Sequence, residues 1–233
     1  MSRDAERYAV YFAPKPGSAL ERFGAEWLGY DAATGDCSPQ PVIGTVTPER
    51  LRQITAEPRH YGFHATLKPP FAFAEGADVD ALDEAVAALA SRFPAFAVPG
   101  LRLTCLSGFW ALMLSKRCPM VDGLAAVCVA EFDRFRAPPS AAELARRRSA
   151  DLSPAQEALL RRWGYPYVME EFRFHMTLTA RLDPVEGAAV GRELASLVEP
   201  PCQTELTIDA ISLFRQDRRD APLRLLRRYN LAV

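Results

Sequence analysis

Two of the three histidines in this 233-residue chain sit in matching strings, Phe63-His64-Ala65-Thr66-Leu67 and Phe174-His175-Met176-Thr177-Leu178. An extended strand alternates its side chains between two faces. His64 and Thr66 would then share a face with Gly62 and Lys68, and His175 and Thr177 would share one with Arg173 and Thr179. The other faces, Phe63-Ala65-Leu67 and Phe174-Met176-Leu178, are apolar and suited to packing under helices. A neutral histidine can take a proton from an attacking water or hydroxyl, and a protonated one can give a proton to a leaving oxygen. An ordinary pKa of ~6.5 suits both tasks. Threonine hydroxyls two residues on can donate to the non-bridging oxygens of a phosphate as phosphorus becomes five-coordinate. In-line displacement needs the two histidines on opposite sides of phosphorus, an arrangement that two symmetry-related strands supply. The expected catalytic residues are His64, Thr66, His175 and Thr177. Tyr61, Lys68 and Arg173 are the expected substrate contacts.

The elements that must position these residues are set by pattern and punctuation. Strands are expected over 7–13, 61–68, 96–106, 109–115, 170–180, 203–214 and 222–232. Helices are expected over 18–28, from Thr47 to before Pro58, over 78–92 with Val79, Leu82, Val86 and Leu89 on one face, over 121–135, and from Asp183 to about Leu197. Between 138 and 164 the texture changes. Ser140-Ala-Ala-Glu143 and Ser153-Pro-Ala-Gln156 each fit a capping box, so an inserted pair of short helices is expected, with Arg146–Arg148 and Arg161–Arg162 facing solvent. Each histidine string is followed by a helix, a long strand and a return strand, and Leu106-Ser-Gly-Phe109 echoes Ile211-Ser-Leu-Phe214. The simplest architecture is a single α+β domain, residues 1–233, of two pseudo-symmetric lobes. Their two largely antiparallel sheets would face a central cleft, with helices outside.

Other residues have readings of their own. Tyr165 and Tyr167 could reach the mouth of the cleft, Arg181 could touch substrate, and Asp209 could orient a histidine. A His60/His64 metal pair lacks acidic or cysteine partners at ligand spacing, so no metal and no cofactor are expected. The five cysteines are widely spaced and form no CxxC, which argues against a disulfide framework or zinc cluster. A net charge of −1 excludes the broad basic field of a general nucleic-acid binder, so RNA is a possible but disfavoured partner and a small phosphate ester the favoured one. The charged N-terminus lacks the apolar core of a signal peptide and no run approaches the ~20 residues of a membrane span. A cytoplasmic protein is the expectation.

The paired His-x-Thr-Leu strings, 111 residues apart, resemble those of the two-histidine phosphoesterase superfamily. It includes RNA 2′,3′-cyclic phosphodiesterases, 2′-5′ ligases and cyclic-nucleotide phosphodiesterases. The strings YGFHATLKPPF and FRFHMTLTARL are similar to those of a bacterial branch associated with phosphonate utilisation. The resemblance implies a bilobal duplicated fold and a metal-free mechanism. It also implies His64 and His175 as the acid–base pair and Thr66 and Thr177 as phosphate binders. The activity it favours is hydrolysis of a cyclic phosphodiester of a sugar or nucleoside. The alternatives are 2′-5′ RNA ligation or cleavage, and a non-catalytic nucleotide- or RNA-binding module.

Overall fold

The computed structural model describes residues 6–202 and 205–232. In chain order it begins with β1 (Arg7–Phe12), α1 (Ala19–Leu28), α2 (Pro48–Ile54), α3 (Ala56–Tyr61), β2 (Ala65–Phe71), α4 (Val79–Arg92), β3 (Phe96–Val98) and β4 (Leu101–Leu106). It continues with β5 (Phe109–Leu114), α5 (Pro119–Glu131), a 3-10 turn at Phe132–Phe135, α6 (Ala141–Arg148) and α7 (Pro154–Trp163). A second 3-10 turn at Met169–Glu171 precedes β6 (His175–Thr177), α8 (Pro184–Cys202), β7 (Leu206–Ile208), β8 (Ala210–Gln216) and β9 (Arg224–Asn230).

Local chemistry sets most of these boundaries. The Ser18 hydroxyl accepts from the Glu21 amide to open α1, and Gly29, at φ 67°, closes it. Asp78 caps α4, which buries Leu82, Val86 and Leu89 as its spacing requires. Both expected capping boxes are present, at Ser140/Glu143 and Ser153/Gln156, so the inserted helix pair forms as α6 and α7. The long strands expected over 96–106 and 203–214 are each split in two, and residues 203 and 204 lie outside the described residues.

The sheet order is β4-β5-β6-β2-β1-β8-β9, antiparallel at every pairing, and β3 pairs with β7 in a small second sheet. The two expected lobe sheets, β4-β5-β6 and β2-β1-β8-β9, run together through one residue pair, Ala65 with Met176. The order also resets the phase of the duplication. On either side of the β6/β2 junction, β5 matches β1 and β4 matches β8. One unit is therefore 7–106 and the other 109–216, with β9 added at the edge. The return strand at 109–114 is the opening strand of the second unit, a correction to the repeat read from the motifs onward.

Helices cover one sheet face. α5 packs on β2, α4 on β8 and β9, and α8 on β4 and β5. Val10, Phe12, Ala65, Leu112, Met176 and Leu213 are buried in this core. Each large side chain so buried contributes roughly 1.5–3 kcal/mol. The other face bears His64, Thr66, His175 and Thr177.

Candidate active site

The first histidine is placed by a turn rather than by a long strand. α3 ends at Tyr61, and Gly62 comes next with φ 75°, where a Cβ would sit 2.7 Å from the Ala32 Cβ. Phe63 then packs onto Gly24 so closely that a Cβ there would fall 1.9 Å from its ring. The strand starts only at Ala65, and the expected strand over 61–68 begins four residues late. Likewise β6 spans just His175–Thr177 of the expected 170–180. Immediately after β6, Trp27 fixes the backbone by donating from Nε1 to the Leu178 carbonyl at 2.8 Å.

Ala65 and Met176 are both fully buried and directly paired. Their antiparallel register sets His64 opposite Thr177 and Thr66 opposite His175, all four on the face away from the helical core. Each histidine is anchored in the same way. His64 Nδ1 lies 2.9 Å from the Gly62 carbonyl and His175 Nδ1 lies 2.7 Å from the Arg173 carbonyl. A carbonyl can only accept, so Nδ1 carries the proton and Nε2 is left for chemistry. The Thr66 hydroxyl donates to His64 Nε2 at 3.0 Å.

Beyond these anchors the symmetry breaks. The His64 ring stacks on Tyr11, with centroids 3.7 Å apart. Tyr11 pairs with Thr66 on β1, and the matching residue beside Thr177 on β5 is Ala111. Phe214 and Phe109 flank His64 and His175 at the similar distances of 6.4 and 6.0 Å. Burial lowers the pKa of both histidines, and that of His64 falls to about 4. A positive charge on His175 lowers that of His64 further.

Thr66, His175, Phe109, Tyr165, Arg173 and Arg181 line one cavity of about 390 Å³. The structure thus brings Arg173 and Arg181 to the site, and Tyr165 and Tyr167 to the same cavity. Tyr61 lies with its ring centroid 6.3 Å from that of His64.

Lys68 is a correction. Tyr11 pairs with Thr66 but Val10 pairs with Lys68, so Leu67 is an extra residue on β2. This bulge resets the alternation and turns Lys68 onto the helical face. There it is 1% exposed and donates to the Val129 carbonyl at 2.9 Å and to Asp133 at 3.1 Å. Burial, partly offset by Asp133, lowers its pKa to about 8. Two other readings also resolve. His60 lies in α3 with Nε2 against the Gln216 amide at 2.7 Å, and Asp209 pairs with Arg228 at 2.5 Å. Sequence reasoning missed Tyr11, whose string RYAVYF has the composition of any core strand. Its hydroxyl is buried without a protein partner among the described residues.

Among the described residues no group of three or more His, Cys, Asp or Glu is gathered for a metal ion, and no helix is long and apolar enough to cross a membrane.

The duplicated α+β fold and its facing His-x-Thr pairs fit the resemblance read from the two histidine strings. More narrowly, the chain belongs to the family described as "Protein of unknown function (DUF1045)", whose model matches residues 66–224. Two curated relatives bear the name "Ribose 1,5-bisphosphate phosphokinase PhnN". The protein from Janthinobacterium sp. (strain Marseille) is 38% identical over 229 residues, 95% of this chain and 50% of the relative. That from Laribacter hongkongensis (strain HLHK9) is 35% identical over 226 residues, 95% of this chain and 51% of the relative. The chain therefore spans about half the length of these relatives. Among solved structures it is similar to E. coli LigT complexed with NADP+, at 14% identity and a TM-score of 0.47 with 99% of each chain covered. LigT complexed with 3′-AMP gives the same identity and score over 98% of this chain and 99% of that one.

Proposed function

We propose that the protein hydrolyses a cyclic phosphodiester of a sugar or nucleoside, with His64 as base and His175 as acid and without a metal. The observation that supports this most directly is the facing pair itself. Two imidazoles, each anchored through Nδ1, face each other across the Ala65–Met176 pair beside a cavity that His175 and Thr66 line, and burial holds His64 in its neutral form. In the forward step, neutral His64 takes a proton from water as the water oxygen bonds to phosphorus. The ring P–O bond breaks opposite, and protonated His175 gives its proton to the departing oxygen. The product is a phosphomonoester, and the pair returns to its starting state by exchanging one proton with solvent. An anionic phosphate between the rings favours the protonated form of each and so supports charge on His175 at neutral pH. The Thr66 hydroxyl, free to rotate, leaves His64 Nε2 to the water and turns to a non-bridging oxygen, as Thr177 does from the other side. Arg173 and Arg181 offer positive charge to the substrate from the cavity wall.

The relatives' name supports a ribose phosphate as the scaffold of the substrate. This chain contains no GxxxxGK[ST] loop of the kind that cradles nucleotide phosphates, so we assign phosphokinase activity to the half of those relatives that it does not cover. A cytoplasmic setting and a place in phosphonate utilisation are part of the same proposal.

The test is turnover in EDTA, monitored by phosphorus NMR, on 2′,3′-cyclic nucleotides, 1″,2″-cyclic ADP-ribose and 5-phosphoribosyl 1,2-cyclic phosphate. His64→Ala and His175→Ala should each lower kcat by about 100- to 10,000-fold, the range of a lost general acid or base. Strong inhibition by EDTA, or full activity in either variant, contradicts the mechanism.

A further inference from the structure

A second cavity, of about 370 Å³, opens on the same side of the sheet as the histidine pair. Arg7, Arg136, Arg146, Arg147 and Arg219 line it, and the only lining acid among the described residues is Glu143. Arginine is the side chain best matched to phosphate, through its planar fork of donors. A surface cluster of that kind could be a solvated face, but this one is built into the fold. Arg7 is 8% exposed, and its Nε donates to the Gln216 side-chain oxygen at 2.7 Å. Gln216 is held in turn by the Ala221 carbonyl at 2.7 Å and by His60. Among the described residues the two terminal nitrogens of Arg7 have no protein acceptor. A buried guanidinium without a counter-charge is costly, and an incoming anion relieves that cost.

The carboxylates nearby do not supply it. Glu143 is taken up by the Ser140 cap and by Arg219. Although burial would raise its pKa, those bonds hold it at about 2. Asp133 is shared between Lys68 and Arg136. Arg147 has its guanidinium 4.4 Å above the Tyr165 ring, and Arg146 has no acidic partner among the described residues. Besides burial, the positive charge of Arg219 and, more weakly, that of Arg146 lower the pKa of Arg7.

Position links this cavity to the chemistry. Tyr165 lines the catalytic cavity and Arg147, stacked on it, lines the arginine cavity, so one pair of side chains is the shared wall. Arg7 and Tyr11 lie on the same face of β1, about 13 Å apart along the strand at ~3.3 Å per residue. Tyr11 stacks on His64.

We infer that the arginine cavity binds a second phosphate of the substrate, a terminal phosphomonoester, while the cyclic phosphodiester lies between His64 and His175. The true substrate is then a cyclic phosphodiester whose sugar is phosphorylated at another position. This rests on the phosphodiesterase reading above. It also gives α6 a purpose: the inserted segment contributes Arg146, Arg147 and Glu143, all from one helix.

Two measurements separate the inference from that reading. The first is binding of ribose 5-phosphate, which has no cyclic phosphate, to the wild type, Arg146→Gln and Arg7→Gln by calorimetry. Arg146 is exposed, so its variant keeps the fold even if Arg7→Gln does not. Each arginine change should weaken binding at least tenfold, and His175→Ala should not. Equal binding by the wild type and Arg146→Gln would overturn the arginine site whatever the enzyme's activity. The second compares kcat/KM for a nucleoside 2′,3′-cyclic phosphate with that for its 5′-phosphorylated form. The wild type should prefer the latter at least tenfold, and Arg146→Gln should bring the ratio near one. A ratio near one in the wild type, or ribose 5-phosphate inhibition that is not competitive with the cyclic substrate, would overturn the inference in favour of a separate phosphate ligand.

Discussion

The titration of His64 is the sharpest consequence of the asymmetric site. Its pKa is held at about 4 against an ordinary 6.5, because the ring is enclosed by protein and stacked on Tyr11. A gap of that size corresponds to at most about 3 kcal/mol, and to about 1–2 kcal/mol once water in the cleft is allowed for. The folded value lies below the unfolded one, so the unfolded chain binds the extra proton between them. The stability that depends on neutral His64 is therefore full above about pH 6.5, declines as pH falls through that window, and is lost near pH 4. Long-range ¹H–¹⁵N spectra of the three imidazoles from pH 3.5 to 8 read this directly, with His60→Gln to assign them. Tyr11→Leu keeps an apolar side chain on β1 but removes the stacked ring and admits water. It should raise the His64 pKa toward 6.5 and move the acid limb of kcat/KM upward with it, so the variant loses activity at pH 5 that the wild type retains. Wild-type His64 titrating near 6.5, or a Tyr11→Leu variant in which it stays near 4, refutes the assignment of the ring's environment.

Thr66→Val and Thr177→Val should each lower kcat by about 100-fold while leaving the melting temperature nearly unchanged, as expected for a lost donor to the five-coordinate phosphate. A change confined to KM would place them in ground-state binding instead. Lys68→Met should leave kcat and KM within about threefold of wild type and alter stability by no more than about 2 kcal/mol, since Asp133 keeps Arg136. A tenfold rise in KM would restore Lys68 to the substrate site.

The facing of the two histidine strings was legible because it depends on residue type and a period of two over three positions. His64-Ala65-Thr66 and His175-Met176-Thr177 need only stay extended for that length, and they do. Two residues further the inference fails at Lys68, because a bulge is a property of how β2 registers on β1, some 55 residues away in sequence. The helices at 141–163 were legible for the opposite reason. Capping boxes are local, and the hydrogen bonds that define them lie within four residues. The anion cavity was not legible. Its arginines come from β1, from the segment after α5, from α6 and from the β8–β9 turn, and only the tertiary fold shows that they converge.

A duplicated fold need not have interchangeable halves. The match of β5 to β1 puts Ala111 where the first unit has Tyr11. Tyr11 stacks on His64, whereas a side chain without a ring stands beside Thr177 and His175 lines the cavity, and in the proposed mechanism this contrast makes His64 the base and His175 the acid. β1 also starts with Arg7, on the same face and two pleats from Tyr11, whereas β5 has no arginine at all. One strand therefore makes both distinctions on which specificity would depend: which histidine is the base, and on which side of it a second phosphate can be held. Exchanging the two histidine strings would leave this polarity in place, because it resides in the neighbouring strand. A double variant that moved the ring across, Tyr11→Ala with Ala111→Tyr, should shift the depressed pKa from His64 to His175 if the chain still folds, and leave the arginine cavity where it is.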